Sequence, residues 1–596
     1  MSDLSPAAIA AAYFPGPHSE NEAWLRQAAA TALDGWFAWR KGLFADDPVV
    51  APAPGAETAA LARARGALSR RLDELCAALT AETPSYSPRS LGHMKAEVSM
   101  PALLGWMAAM LHNPNNTTRE SSKVGTVIES EAIAMLAAMV GFDPATAQGH
   151  FTSGGTVANF EAVWRARYRL DHWLSLALYV SETTGERLDV FSAAHMGWDR
   201  FRALWAEHGL CDEVLRRYSA VASNPAEIFR RIGKASGRDY LGPVVLAPGN
   251  KHYSWRKAAS IFGLGEESFW SVALDEAGRL DLAAFERRVH EAEAQGRPVL
   301  MALSVAGTTE TGEIDPIDRL HDRLDRWERE RGWRIWRHVD AAYGGFLCSL
   351  LGGPDEAVLG EGAVRALRAI ATADSVTIDP HKLGYTPYAC GAFLTRDAVR
   401  YVVSAFDAPY LDRPELGPDK WSSTLEGSRS AGGAAATWLT GRTLGFGPEG
   451  LGALLAETVR SRRGFQAQVA AALPFVRFLE PADANIVCFS VAGDGETLSS
   501  ANRRTEALFE AIRASDDFAV SRTRLGADYA AQIARHLEAW DGRADEGGLT
   551  LIRCVFMNPY WAAPAMRDHL APAFIDLVRD AVAPPARRPR ATAARR

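Results

Sequence analysis

Apolar positions recur at helical spacing from Asn21 to Leu43 and again from Glu57 to Thr83. Between them, Asp46 to Gly55 is rich in proline and reads as a connector. Residues 98–112 and 127–142 read as apolar helices, separated by His112-Asn113-Pro114-Asn115-Asn116, which has loop chemistry. From about 150 to 400 the texture changes. Short apolar runs (Val244–Ala247, Val299–Val305, Ile335–Val339, Ser375–Ile378, Gly391–Leu394) alternate with amphipathic stretches such as Leu282–Gln295 and Ile317–Arg331. This alternation predicts an α/β domain with a mostly parallel sheet, in which ligands sit at the carboxyl ends of strands. Residues 431–475 are again helical. Beyond them the strand-like runs Phe475–Leu479, Ile486–Ser490 and Leu549–Val555 mix with helices and predict a smaller α+β domain. The expected division is a helical segment over 1–125, the large domain over 126–430, the small domain over 431–583 and an Arg-rich, disordered tail over 584–596. No internal repeat is visible.

Composition narrows the class. At 596 residues the chain is too long for one ordinary domain, and 47% hydrophobic with 23% charged residues is the balance of a soluble globular protein. A formal charge of −7 gives no reason to expect bulk attraction to nucleic acid or an anionic membrane. The basic tail could serve as a nucleic-acid arm or be an inert terminus. Six cysteines are scattered without a CxxC pair, so neither a disulfide framework nor a structural zinc site is expected. The longest uncharged apolar stretch, Val98–Leu111, is too short to span a membrane and contains Pro101. With no signal-peptide pattern at Met1-Ser2-Asp3, a cytoplasmic protein is expected. Only 8 residues are lysine against 57 arginines. A lysine in an apolar neighbourhood therefore stands out, because arginine stays protonated and cannot act as an amine nucleophile.

Four segments carry candidate chemistry. Lys382, in Asp379-Pro380-His381-Lys382-Leu383-Gly384, follows a strand-like run; an amine held in an apolar cleft there can form an imine, although a surface-loop lysine would read the same. Asp340, in His338-Val339-Asp340-Ala341-Ala342-Tyr343, follows another. It could keep a pyridinium nitrogen protonated or simply cap a helix. Thr152-Ser153-Gly154-Gly155-Thr156-Val157-Ala158-Asn159 is a Gly-rich turn opening a helix, suited to a phosphate but weak alone. It lacks the lysine of a P-loop and the GxGxxG of a dinucleotide fold. His252, in Lys251-His252-Tyr253-Ser254-Trp255, could stack on a flat ring or sit in a helix-entry loop. Together, a phosphate cradle, a ring-stacking imidazole, a carboxylate and an imine-forming lysine are the parts that hold pyridoxal phosphate.

The chain resembles the group II pyridoxal-phosphate decarboxylases, most closely the bacterial tyrosine decarboxylase branch. The resemblance is carried by Leu91-Gly92-His93-Met94, His112–Asn116, His252-Tyr253-Ser254-Trp255, His338–Phe346, Ser375–Tyr388, Leu425-Glu426-Gly427-Ser428 and Arg553–Tyr560, over about 90 to 560. It implies a fold type I architecture: a mostly parallel seven-stranded sheet flanked by helices, with a helical N-terminus and a small α+β C-terminal domain. It also implies a homodimer with the site at the subunit interface. Lys382 would bond the cofactor aldehyde, with His381 near the phosphate. Asp340 would pair with the ring nitrogen. Ala342 and His252 would flank the ring, Thr156, Val157 and Ala158 would hold the phosphate, and Thr309 would lie near the ring hydroxyl. Pro409-Tyr410-Leu411 resembles the loop whose tyrosine returns a proton to the α-carbon. Tyrosine rather than phenylalanine there implies amine rather than aldehyde as product.

His93 and Ala96 match a substrate-side wall in that family, and Arg553 matches an arginine that in glutamate decarboxylases meets a carboxylate. Ser521–Gly548 departs from the tyrosine decarboxylases. Small apolar Ala96 and Val157 favour a hydrophobic substrate: tyrosine or another aromatic amino acid first, then valine or leucine, with glutamate disfavoured. The rival readings are another pyridoxal-phosphate enzyme of the same fold, such as an aminotransferase, aldolase or desulfurase, and a non-catalytic homologue. The Tyr410 segment argues against the first, and the complete set of Lys382, Asp340, His252 and Tyr410 argues against the second.

Overall fold

The computed structural model describes residues 4–52, 55–404 and 420–582. Tyr410 and the Arg-rich tail lie outside the described residues. A seven-stranded sheet is formed by β1 (Gln148–Thr152), β2 (Val244–Pro248), β3 (Phe269–Val272), β4 (Val299–Val305), β5 (Arg337–Asp340), β6 (Ser375–Ile378) and β7 (Gly391–Thr395). Its order is β1-β7-β6-β5-β4-β2-β3. The pairings from β3 through β6 are parallel, and β7 runs antiparallel to both of its neighbours. The α/β architecture expected from the alternating pattern is the one observed.

The central strands are legible because helices cover both faces. β2 and β4 are buried at every position, so their sequences are unbroken apolar runs. β1 has no such signature. Its sequence, Gln-Gly-His-Phe-Thr, is buried all the same, and His150 within it meets Glu161 at 3.0 Å. β3 is a four-residue edge strand and equally silent in the pattern.

The first six helices in chain order are α1 (Pro6–Tyr13), α2 (Glu22–Leu43), α3 (Ala59–Leu79), α4 (Met100–His112), α5 (Gly125–Met139) and α6 (Gly155–Thr184). The 30 residues of α6 run from the end of β1 behind the sheet and are buried over most of their length. The α1 region docks through Phe14, which is fully buried with Tyr385 and Tyr560 edge-on to its ring. By contrast α2 and α3 bury no residue. Trp24, Phe37, Trp39, Leu68, Leu72, Leu75 and Leu79 remain exposed on them. Among the described residues no helix is long and apolar enough to cross a membrane.

A second, antiparallel sheet has the order β10-β11-β9-β8, from β8 (Val476–Phe478), β9 (Ile486–Val491), β10 (Ser521–Leu525) and β11 (Leu549–Val555). β10 escapes the apolar pattern because it is an edge strand whose Arg522 and Arg524 face solvent. The helices Leu498–Ser515 and Pro564–Val582 cover this sheet through a core that includes Phe465, Phe489, Trp561 and Phe574.

The interior predicts an acid-labile fold. Burial holds His172, His195, His338 and His536 down to about 4 and His321 to about 3, from an ordinary 6.5. The unfolded chain would protonate these five where the folded chain does not. Their stabilisation is therefore complete above about 6.5 and is lost as pH falls towards 4. Asp171 and Asp315, pushed up to about 6 and about 7 by burial, act in the opposite sense, as do Glu97, Asp212 and Glu313, which burial also raises, and together they offset part of that loss. Scanning calorimetry should find Tm lower at about pH 5 than at about pH 7. An equal or higher Tm at the acid value would contradict the assignment of neutral buried imidazoles.

Candidate active site

The carboxyl ends of the strands converge on one cavity of about 350 Å3. Each strand delivers a different group. Gly154 and Gly155 follow β1 and open α6; His252 follows β2; Thr309 follows β4; Asp340 ends β5; and Asp379, His381 and Lys382 follow β6. All of these line the cavity, together with Thr156, Val157, Asn159, Asn250, Ala342 and Tyr388. Five strands from distant parts of the sequence thus supply one site, as a parallel sheet allows.

The turn after β6 sets Lys382. Its N–H donates to the carbonyl of Asp379 at 2.9 Å, and Tyr385, at φ +53°, donates to the carbonyl of Lys382 at 3.1 Å. A Cβ at Gly384 would lie 2.6 Å from both the Phe346 ring and the Pro380 carbonyl, so only glycine permits this close turn. Lys382 Nζ is 3.0 Å from Asp379 Oδ2, and His381 Nε2 is 3.5 Å from the same oxygen. Burial lowers the pKa of His381, which leaves its imidazole neutral at neutral pH. Its ring lies 4.2 Å from that of Tyr388, whose hydroxyl donates to the Met94 carbonyl at 3.4 Å. Burial pushes the Tyr388 phenol up to about 12, so it stays protonated.

Asp340 is buried and held from two sides. Its Oδ2 accepts from Asn159 Nδ2 at 2.8 Å and from Trp255 Nε1 at 3.1 Å, and its Oδ1 accepts from the Ala342 N–H at 3.3 Å. Asn159 Nδ2 also donates to Ser254 Oγ at 3.1 Å, and Ser254 Oγ lies 2.9 Å from His252 Nδ1. One amide therefore ties the carboxylate to the imidazole. Burial lowers the pKa of His252, the nearby Asp340 opposing the shift and Lys382 adding to it. A neutral ring suits stacking on a heteroaromatic plane.

The site fits a phosphorylated, flat, hydrogen-bonding ring. A Cβ at Gly155 would lie 2.8 Å from Asp379 Oδ2, and one at Gly391 would lie 2.5 Å from the Gly154 backbone, so the mouth of α6 is kept bare. The N-terminus of α6 carries free N–H groups and the positive end of a 30-residue helix dipole, the usual setting for a phosphate. Among the described residues, Asn159 Oδ1, Asn250 Oδ1 and Asp379 Oδ1 are buried without hydrogen-bond partners, and all three residues line this cavity. Buried polar atoms of that kind are costly unless a ligand satisfies them.

Not every residue singled out in the sequence arrives here. Ala158, one position beyond Val157, packs into the core between α6 and the sheet. His93 is exposed, and neither it nor Ala96 lines this cavity. Arg553 sits in β11, buried, and its Nη1 donates to the Gly92 carbonyl at 3.0 Å and to Ser521 Oγ at 3.2 Å. It thus fixes the backbone just before His93. Conversely, Asn159, Trp255 and Tyr388 had no assigned part, though all lie inside the quoted motifs. Asn159 falls one helical turn after Gly155 and Trp255 three residues after His252, but that spacing alone does not assign their role, which depends on Asp340.

A twisted, mostly parallel sheet with an imine-capable lysine, a buried carboxylate and a bare helix mouth at its strand ends defines a fold type I pyridoxal-phosphate enzyme. The sequence profile of the pyridoxal-dependent decarboxylase conserved domain matches residues 229–492. The L-tyrosine decarboxylase of Enterococcus faecium is 31% identical over 493 residues, covering 78% of this chain and 77% of that one. The L-tyrosine decarboxylase of Levilactobacillus brevis is 29% identical, covering 94% of each. Among solved structures, Oryza sativa TDC with pyridoxal phosphate and tryptamine superposes with a TM-score of 0.62 at 17% identity, covering 94% of this chain and 97% of that one. The chain belongs to the pyridoxal-dependent decarboxylase family. It is an amino acid decarboxylase whose cofactor is pyridoxal phosphate.

Proposed function

We propose that the chain converts L-tyrosine, or another aromatic L-amino acid, to the corresponding amine and carbon dioxide in this cavity. The observation that carries the reading is the convergence of Lys382, Asp340, His252 and the mouth of α6 on one space. The two tyrosine decarboxylases named above support the aromatic side chain.

Bound here, pyridoxal phosphate supplies an electron sink for the pair left on the α-carbon when the carboxylate departs. The chain supplies the rest. Lys382 would hold the cofactor aldehyde and yield it to the substrate amine. The N–H groups of Gly155 and Thr156 would take the phosphate, with Val157 beside them and His381 alongside. His252 and Ala342 would flank the ring, and Thr309 would meet its hydroxyl. Asp340, kept in place by Asn159 and Trp255, would hold a proton on the ring nitrogen. Tyr410 would return a proton to the α-carbon. Arg553 would act on the substrate side by fixing the Gly92–His93 backbone, next to Ala96.

The bare apolar faces of α2 and α3 support assembly into a homodimer, because so many exposed aromatic and leucine side chains on two neighbouring helices mark an interaction surface.

The test is a panel of L-amino acids offered to purified holoenzyme, with carbon dioxide counted and amines identified by mass spectrometry. Tyrosine is expected to give tyramine with the highest kcat/KM, ahead of valine and leucine, and glutamate the lowest. A preference for valine or leucine would move the substrate to the aliphatic class. Glutamate as the best substrate would overturn the aromatic reading.

A further inference from the structure

A second cavity, of about 430 Å3, opens away from the cofactor site between α6, the helix Pro225–Ser236 and the loops around residues 240–243 and 262–264. Most of its wall is apolar or aromatic: Leu174, Phe229, Tyr240 and Phe262 line it. Two charges of opposite sign line it as well. Asp171 is 7% exposed and closes no salt bridge among the described residues; its Oδ1 accepts from the Ala220 N–H at 2.7 Å and its Oδ2 from Ser219 Oγ at 2.5 Å. Arg167, one helical turn earlier, is half-buried and makes no hydrogen bond or ion pair among the described residues.

A buried carboxylate and a half-buried guanidinium that close no salt bridge with each other are both costly, although the charge of Arg167 favours the ionised form of Asp171. Both are relieved by a ligand that carries an ammonium and a carboxylate on neighbouring atoms. A guanidinium binds a carboxylate through two parallel hydrogen bonds, and a lone carboxylate completes an ammonium. The remainder of such a ligand would lie against aromatic and aliphatic walls, and the volume falls within the range of small-molecule sites. We propose that this cavity is a second binding site for a free α-amino acid with an aromatic or bulky apolar side chain, Arg167 taking the carboxylate and Asp171 the ammonium.

The inference does not depend on the reaction assigned above. The cavity does have a physical connection to it. Asp171 lies about 24 Å along α6 from Gly155 at 1.5 Å per residue. Phe262 directly follows the helix Ser254–Ile261, which starts beside His252. An occupant would therefore touch the middle of α6 and the far end of the helix Ser254–Ile261, the two helices whose near ends border the cofactor cavity.

The experiment is equilibrium dialysis of L-phenylalanine against borohydride-reduced holoenzyme, wild type beside Arg167→Gln and Asp171→Asn. Arg167→Gln breaks no hydrogen bond or salt bridge among the described residues, so it should fold; circular dichroism checks both variants. The expected result is a saturable site in the wild type whose Kd rises about tenfold or more in Arg167→Gln, the cost of one charge-assisted hydrogen bond or more. Folded Asp171→Asn should show a similar loss. If reduction leaves the cofactor cavity open, the wild type shows a second site that Arg167→Gln does not weaken. No saturable binding in the wild type, or none that weakens in Arg167→Gln, would overturn the proposal.

Discussion

Lys382→Ala should abolish carbon dioxide release, with kcat down by about 10^4-fold, the upper end of what loss of one positioned acid–base group costs. The expectation rests on place rather than residue type alone. Lys382 is on the turn after β6, its side chain is 19% exposed, and its ion pair among the described residues is to Asp379 at 3.0 Å. Truncating it removes no core packing, so circular dichroism and Tm should change little. Lys382→Arg should be as inactive as Lys382→Ala, since a guanidinium cannot shed its proton to become a nucleophile. That equality separates loss of the amine from loss of the charge. Residual activity within about tenfold of wild type in either variant would remove Lys382 from the reaction, because a drop that small is below the range for an acid–base group.

Asp340→Asn is the second large effect. The carboxylate is buried at the end of β5, with two donors on Oδ2 and the Ala342 N–H on Oδ1. An amide removes the negative charge and turns an NH2 group towards one of those donors. kcat is expected to fall by about 10^2–10^3-fold, the cost of one preorganised electrostatic partner in a dry site. The substrate KM should move much less, because the loss is felt when charge develops on the ring nitrogen. Trp255→Phe gives the graded comparison. It deletes one donor to Oδ2 and leaves Asn159, so about 1 kcal/mol, or roughly fivefold in kcat, is expected. If Asp340→Asn kept wild-type kcat, the ring-nitrogen role would have to pass to another group.

These sites were legible in unequal degree. Lys382, Asp340 and His252 each lie at or just beyond the end of a buried strand, so the apolar run before each of them marks it, whereas Thr309 is marked only by the family resemblance. β1 was silent because its buried positions hold His150 and Gly149, and the His150–Glu161 contact needs α6 in place before it exists. The turn Gly154–Val157 was found by its glycines instead. β10 was silent for a different reason: an edge strand with Arg522 and Arg524 outward has no apolar alternation to read. Asn159 and Trp255 could not be assigned from sequence. Their function is a shared hydrogen-bond acceptor, Asp340 Oδ2, that lies 181 and 85 residues away along the chain. Arg553 shows the opposite limit. A residue type suited to binding a carboxylate instead donates to the Gly92 carbonyl, because the β11 register points it there.

The central claim is that the chemistry occurs at Lys382, in the cavity shared by Asp340, His252 and the mouth of α6. The most direct measurement is borohydride reduction of the holoenzyme followed by proteolysis and mass spectrometry. The account predicts one reduced cofactor adduct per chain, on Lys382 and on none of the other seven lysines, with carbon dioxide release lost in step with its formation. An adduct on another lysine, or full activity after stoichiometric labelling of Lys382, would contradict it.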